Sequence, residues 1–352
     1  VERNFELAWR ETLQTLETQP LRNSDYYYDS YRLHLEQYEF SIAQRRTEPV
    51  SFQELNDALN VFFMTQKLRQ ACAALSHRAL SKTEFKIDFL EQVLSYITAT
   101  EKVLQLPTVA AYYHIYHALT DLSNGTHFKA LKGILLDFAT FFPAQELKDL
   151  YIHAINCCIK RLNAGQRDYL REVFDLYKNG LNVHIFLENG VLSRYTYNNI
   201  AMAGVGLQEF DWVEKFLTEF KPFLEEKYRE STFQHTLAMY YFKKPDYAKA
   251  QQLLQQTEFD DVLHNLDARR MLLRIYYDTQ DWDSLEAHLD NLKIYLYRQK
   301  DLGYHQENYL NLIRFTRKLL SLDYEKNALR AEIEATVALV EKGWLLEKVL
   351  PS

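Results

Sequence analysis

The stretch Leu237-Ala238-Met239-Tyr240-Tyr241-Phe242-Lys243-Lys244-Pro245-Asp246-Tyr247-Ala248-Lys249-Ala250 decides the fold. It reads as the end of one helix, a short polar turn around Pro245, and a second helix opened by Tyr247. Ala238 is small enough to let two helices approach closely, and Ala250 and Leu254 set a small and a large apolar residue on the return helix. The same punctuation recurs along the chain. Phe85, Phe128, Tyr169, Phe210, Tyr247 and Trp282 follow one another at spacings of 43, 41, 41, 37 and 35, and Tyr324 comes 42 residues later. Each opens a stretch with a helical apolar stripe. A period of this size predicts stacked helical hairpins, in which no unit buries its own face and neighbours supply the core.

Composition points the same way. The 352 residues are 47% hydrophobic and 14% aromatic, which excludes general disorder and promises a large core. Only 9 glycines and 7 prolines occur, too few for a many-turned β fold. An all-α protein is expected. The net charge of −7 argues against binding nucleic acid by general phosphate neutralisation. No run of 18 apolar residues is present, so no membrane insertion is expected. Cys72, Cys157 and Cys158 read as reduced thiols of a cytoplasmic protein. The chain begins at Val1 rather than Met, which leaves room for an upstream targeting signal or further domain.

The chain divides into four blocks. Residues 1–80 read as three long helices, a cap or partner-binding module: one from Phe5 to Leu16, one from Asp25 to Gln44, and one capped by Ser51 with Glu54 at its third position. The last carries Leu55, Leu59, Phe62, Phe63, Leu68, Ala71 and Leu75. Residues 81–190 are degenerate helical repeats, with a helix begun by Pro107, a stripe at Phe128, Leu131, Leu135 and Phe138, and a helix C-cap at Asn179-Gly180. Val183–Leu187 is apolar enough for a strand but is read as helix or linker. Residues 191–300 are the clearest repeats, and 301–352 form a C-terminal helical cap.

The quoted stretch resembles a tetratricopeptide repeat: a Leu and a small residue in the first helix, an aromatic three residues on, and an Asp-aromatic turn opening the second. The unit Tyr197, Ile200, Ala201, Gly204, Phe210, Val213 and Leu217 is similar. The unit Leu272, Leu273, Tyr276, Asp281-Trp282, Leu285 and Leu289 departs from the pattern at Leu285, where a small residue is usual. The resemblance covers roughly residues 195–295 and is to divergent repeat proteins common in bacteria. It implies an antiparallel helix-hairpin solenoid, a right-handed superhelix with a concave face that binds partners.

Motifs for chemistry are sparse. His114 and His117, three apart on a helix, lack the intervening Glu of a zinc protease and sit among tyrosines, so packing is the favoured reading. His153 and Cys157 have ligand spacing but no second pair. Asp260-Asp261 favours a helix cap over a metal motif, since His264 stands where a third carboxylate is required. Gly204-x-Gly206 lacks the third glycine of a nucleotide loop. No catalytic, cofactor or metal site is therefore expected.

Arg270 and Arg274 share one helical face. On the family's template they fall on the concave side with Asn198, Met202, His235, Met239, Phe242 and Tyr277. Two guanidinium forks can take a carboxylate bidentately, so an acidic or C-terminal carboxylate segment of a protein or peptide is the expected ligand. For that role both arginines should lack intramolecular acidic partners. The competing reading pairs each with a nearby carboxylate such as Glu230 or Asp267. The leading expectation is a non-enzymatic peptide-binding scaffold. The alternatives are a regulatory or sensory module that has lost an N-terminal DNA-binding or effector domain, and an α-helical enzyme with an unrecognised site.

Overall fold

A computed structural model describes residues 2–44, 52–81, 85–256, 262–299, 302–321 and 324–349. The fold is all-α: helix accounts for 81% of it, and the described residues hold 17 α-helices and one two-stranded hairpin. Two compact units are formed, Val1–Trp212 with Pro222–Glu225, and Val213–Lys221 with Glu226–Ser352.

In the first unit, α1 (Glu2–Thr18), α2 (Ser24–Gln44) and α3 (Gln53–Ser81) are the three long N-terminal helices. Phe5 stacks on Phe40 at 3.8 Å, and Trp9 Nε1 donates to the Leu33 carbonyl at 3.1 Å. The buried stripe of α3 runs through Leu55, Ala58, Val61, Leu68 and Ala71, while Leu59 and Phe63 from the expected stripe are exposed. Ser51, the expected cap, lies outside the described residues, as do Asp260 and Asp261. Phe85 opens no helix. It lies half exposed against the edge of His77, and α4 (Leu90–Ala99) starts five residues later, after Phe89 in a left-handed conformation (φ 66°).

The helix pairs then follow: α5 (Pro107–Thr120) with α6 (Thr126–Asp137), α7 (Ala144–Asn163) with α8 (Tyr169–Asn182), and α9 (Arg194–Gly206) leading into α10 (Phe210–Phe220). Phe128, Tyr169 and Phe210 stand at or near the starts of α6, α8 and α10. Phe128 meets Tyr169 edge to face at 5.4 Å.

Arg161 of α7 is fully buried without a carboxylate partner among the described residues. Its Nη1 donates to the Ala118 carbonyl (2.7 Å), and its Nη2 to those of Asp121 and Asn124 (3.0 and 3.1 Å). The guanidinium thus meets carbonyls at the C-terminal end of α5, where the helix dipole favours a cation.

Residues 183–186 form the turns of a linker, and Leu187 opens a hairpin of β1 (Leu187–Glu188) and β2 (Val191–Leu192). Asn189 and Gly190 at its tip both have positive φ (51° and 79°), as a two-residue hairpin turn with Asn-Gly demands. Gly180 is not a helix C-cap: α8 continues to Asn182, and a Cβ at Gly180 would meet the Phe186 ring at 2.3 Å. This glycine is there for a close ring approach.

All three cysteines belong to this unit and are buried and unpaired with one another. Burial pushes the thiol pKa values up, that of Cys157 to about 12.

The second unit holds α11 (Arg229–Lys243), α12 (Tyr247–Gln256), α13 (Val262–Asp278), α14 (Trp282–Arg298), α15 (Tyr304–Leu320), α16 (Lys326–Ala335) and α17 (Lys342–Val349). Three-residue connections after α11 and α13 make each pair antiparallel neighbours. The Asp-aromatic signature has a local cause. Asp281 accepts from the Ser284 amide at 3.2 Å, and Asp246 from the Lys249 amide at 3.4 Å, so each aspartate caps the helix that its aromatic begins. Ala238 is fully buried, and an Ala238→Leu substitution should cost about 1–3 kcal/mol by overpacking. Urea denaturation followed by circular dichroism checks this; an unchanged midpoint would mean the hairpin has room for a larger residue.

Candidate docking site

The site is built on α13, whose seventeen residues turn Leu266, Met271, Leu273 and Ile275 inward and bring Asp267, Arg270 and Arg274 onto a neighbouring strip. Arg270 Nε and Nη2 both donate to Asp267 Oδ1, at 2.8 and 2.6 Å. Its Nη1 is paired with Glu341 Oε1, and Arg274 Nη1 reaches Glu341 Oε2 at 2.9 Å. One carboxylate thus joins both guanidiniums. His235 of α11 lies with Nε2 3.2 Å from Asp267 Oδ2 and stacks on His264 at 4.3 Å. Burial alone would raise the Asp267 carboxyl pKa, but the bond from His235 and the Arg270 charge hold it well below the usual carboxylate range.

Aromatic rings frame the arginines. The Arg274 guanidinium carbon lies 5.0 Å from the Phe242 ring centroid and 5.5 Å from that of Trp344, both within cation–π range. Trp344 of α17 meets Tyr277 edge to face at 5.2 Å and points Nε1 at Asp278 Oδ1, 3.4 Å away. Lys348, one turn further along, pairs with the same oxygen at 2.6 Å, while Tyr247 donates to Asp278 Oδ2 at 3.2 Å. Glu341 and Trp344 thus cover the arginine pair, and Lys348 pairs with Asp278 beside it.

This corrects one expectation. Arg270 and Arg274 do not lack intramolecular acidic partners, and the competing reading describes the pair as it stands: Asp267, three residues away on the same helix, takes Arg270, and Glu341 takes both. Glu230 is bound instead to Lys221 at 2.7 Å. Six of the eight anticipated residues belong to this unit. His235, Met239 and Phe242 are buried in it, and Tyr277 is half-buried under Trp344. Asn198 and Met202 belong to the first unit, with Met202 45% exposed. Glu341, Trp344, Lys348 and Asp278 were missed. Little periodic signal marks them, since Glu341 precedes α17 and only Trp344 and Lys348, four residues apart, share a face of it. They lay in a block read only as a cap.

Glu341→Ala should leave two guanidiniums side by side with Asp267 alone to balance them. The side chains retain 14–19% exposure, so the loss is set at about 2–3 kcal/mol, below the 3–5 of a fully buried pair. Arg274→Ala in the same chain should recover part of it, a coupling that a double-mutant cycle measures. Additive losses would mean the two groups do not interact.

The other candidates are structural in character. His114 Nδ1 lies 2.9 Å from His127 Nδ1, and His117 stacks on His127 at 4.7 Å. Burial and the neighbouring imidazoles lower the His114 pKa to about 4. Among the described residues no group of three or more His, Cys, Asp or Glu side chains is arranged to hold a metal ion. Gly206 admits Leu170, whose Cδ2 would lie 3.0 Å from an added Cβ.

His288 of α14 donates from Nε2 to the Arg269 carbonyl at 2.8 Å, which fixes it as the neutral Nε2–H tautomer. Burial lowers its pKa from 6.5 to about 4. Above pH 6.5 the ring is neutral folded or unfolded, and stability is unaffected. As pH falls from 6.5 to 4 the unfolded chain gains a proton that the fold refuses, and roughly 3 kcal/mol is lost. His288→Gln, which keeps a donor, should flatten that part of the acid slope in pH-dependent denaturation; an unchanged slope would assign the loss to other groups.

Among the described residues no helix is long and apolar enough to cross a membrane. No family model, curated protein or solved structure matches the chain.

Proposed function

We propose that this is a non-enzymatic interaction protein whose α13 face docks a carboxylate-bearing segment of a protein partner. One observation carries the reading: Arg270 and Arg274, both over the Phe242 ring, already share a carboxylate from the residue that precedes α17. Arginine forks in an aromatic frame are the chemistry of acidic peptide recognition. The resemblance to tetratricopeptide repeats supports it, because that family binds peptides on the face lined by the first helices of its pairs, here α11 and α13. The locations of Tyr247 and Trp282 at the starts of α12 and α14 accord with the register of that resemblance.

The test is selection of displayed peptides on the full-length chain, repeated with Arg270→Ala and Arg274→Ala. Selected peptides should carry a carboxylate and lose about ten- to a hundredfold in affinity against either variant, the worth of one charge-assisted hydrogen bond. Raising the salt should weaken them too. Peptides that bind both variants as well as the parent would end the proposal.

A further inference from the structure

We infer, resting on the docking reading above, that residues 336–349 are a built-in competitor that covers the site until a partner segment with an acidic residue just ahead of a short helix that carries Trp and Lys, spaced as Glu341, Trp344 and Lys348 are, displaces it. The pattern is copied from the occupant. Glu341 takes the arginine pair, Trp344 packs on Tyr277 beside Asp278, and Lys348 pairs with Asp278. A partner with the same three groups, the carboxylate on the turn ahead of the helix, would satisfy the same receptors.

Charge identifies the partner's chemistry. With the segment docked, Arg270, Arg274 and nearby Lys243 are balanced by Asp267 and Glu341. Once Glu341 leaves, three cations face one carboxylate, on a chain whose net charge is −7. The Lys243 ammonium already feels this: burial and the two arginine charges lower its pKa. An acidic residue is therefore the required first contact of any replacement.

Several features leave the docked segment open to replacement. At eight residues α17 is far shorter than a helix that persists alone, so its helicity depends on docking. It is reached through a connection in which Val337 is 95% exposed. Glu341 itself sits at φ 56°, a left-handed conformation unfavourable for a non-glycine residue. Arg274 Nε is buried with no acceptor among the described residues, so Glu341 uses only part of the fork. A partner carboxylate arriving side-on could engage Nε and Nη together. Tethering works the other way, since it gives the segment an effective concentration on the order of millimolar. A competitor in trans must overcome that advantage.

The experiment uses a fluorescein-labelled synthetic peptide of residues 336–349, titrated by anisotropy into the full-length chain and into full-length Glu341→Gln. The variant should bind the peptide at least tenfold more tightly than the parent chain, because its own segment competes less well. A peptide carrying the Glu341→Gln change should bind neither. In the unaltered chain, saturating unlabelled peptide should strip hydrogen-exchange protection from α17, a readout that needs no variant to fold. Equal affinity for the two chains, or binding with α17 still protected, overturns the inference. Arginine-dependent binding of selected peptides with α17 still protected would end the competitor while leaving the docking reading intact. Loss of arginine dependence would end both.

Discussion

Arg161→Ala should lower the stability of the first unit by about 3–5 kcal/mol, although no carboxylate partner is lost. The side chain is fully buried and holds the carbonyls of Ala118, Asp121 and Asn124. Alanine strands these acceptors, each buried orphan costing about 1–3 kcal/mol, and removes the cation–π contact with Tyr169 at 5.2 Å. Solvent entering the vacated space would recover some of this, which keeps the figure below the full sum. Arg161→Lys should fall between, because one ammonium cannot span three carbonyls with the geometry of a planar fork. Native-state hydrogen exchange at α5 and α7 amides measures the effect locally, without assuming that both units unfold together. A loss below about 1 kcal/mol would mean that the carbonyls find water without the arginine.

Trp344→Ala should cost a similar amount, about 3–5 kcal/mol, as a large-to-small change at a site only 4% exposed. Trp282, which opens α14, is 44% exposed and its cost should be nearer 1 kcal/mol. Both tryptophans touch Tyr277 edge to face, at 5.5 and 5.2 Å, so the ring contact alone does not separate them. Burial does. Comparing the two variants by thermal unfolding distinguishes a helix-opening aromatic at the rim of a hairpin from one that anchors a terminal segment. Equal shifts would mean that exposure does not set the cost.

The hairpin architecture was legible because it is written in short-range signals. Asp246-Tyr247 and Asp281-Trp282 combine a capping side chain with an apolar ring, and both act within one helical turn. Phe85 shows the limit: it stands at the right period and opens no helix, and α4 starts only at Leu90. The Asn189-Gly190 turn is legible from its own chemistry, but the two-residue strands on either side are too short to show as a pattern. The shared face of the arginine pair was legible, but the carboxylate that joins them lies 67 and 71 residues further along the chain. Periodicity within α13 places Arg270 and Arg274 on a face; it says nothing of which distant residue covers that face. Only Trp344 and Lys348 share a face of α17, a pattern too short to stand out from an ordinary amphipathic turn.

The cysteines of the first unit offer a use beyond their packing. Alkylating reagents attack the thiolate, and burial both hides Cys72, Cys157 and Cys158 and keeps their thiols protonated. Their modification therefore waits for the surrounding helices to part, while the second unit contributes no sulfhydryl to the signal. The rate at which iodoacetamide adds mass to the intact protein becomes an internal clock for excursions of one half of the molecule. It runs without a mutation or an attached dye, and intact-protein mass alone reads it.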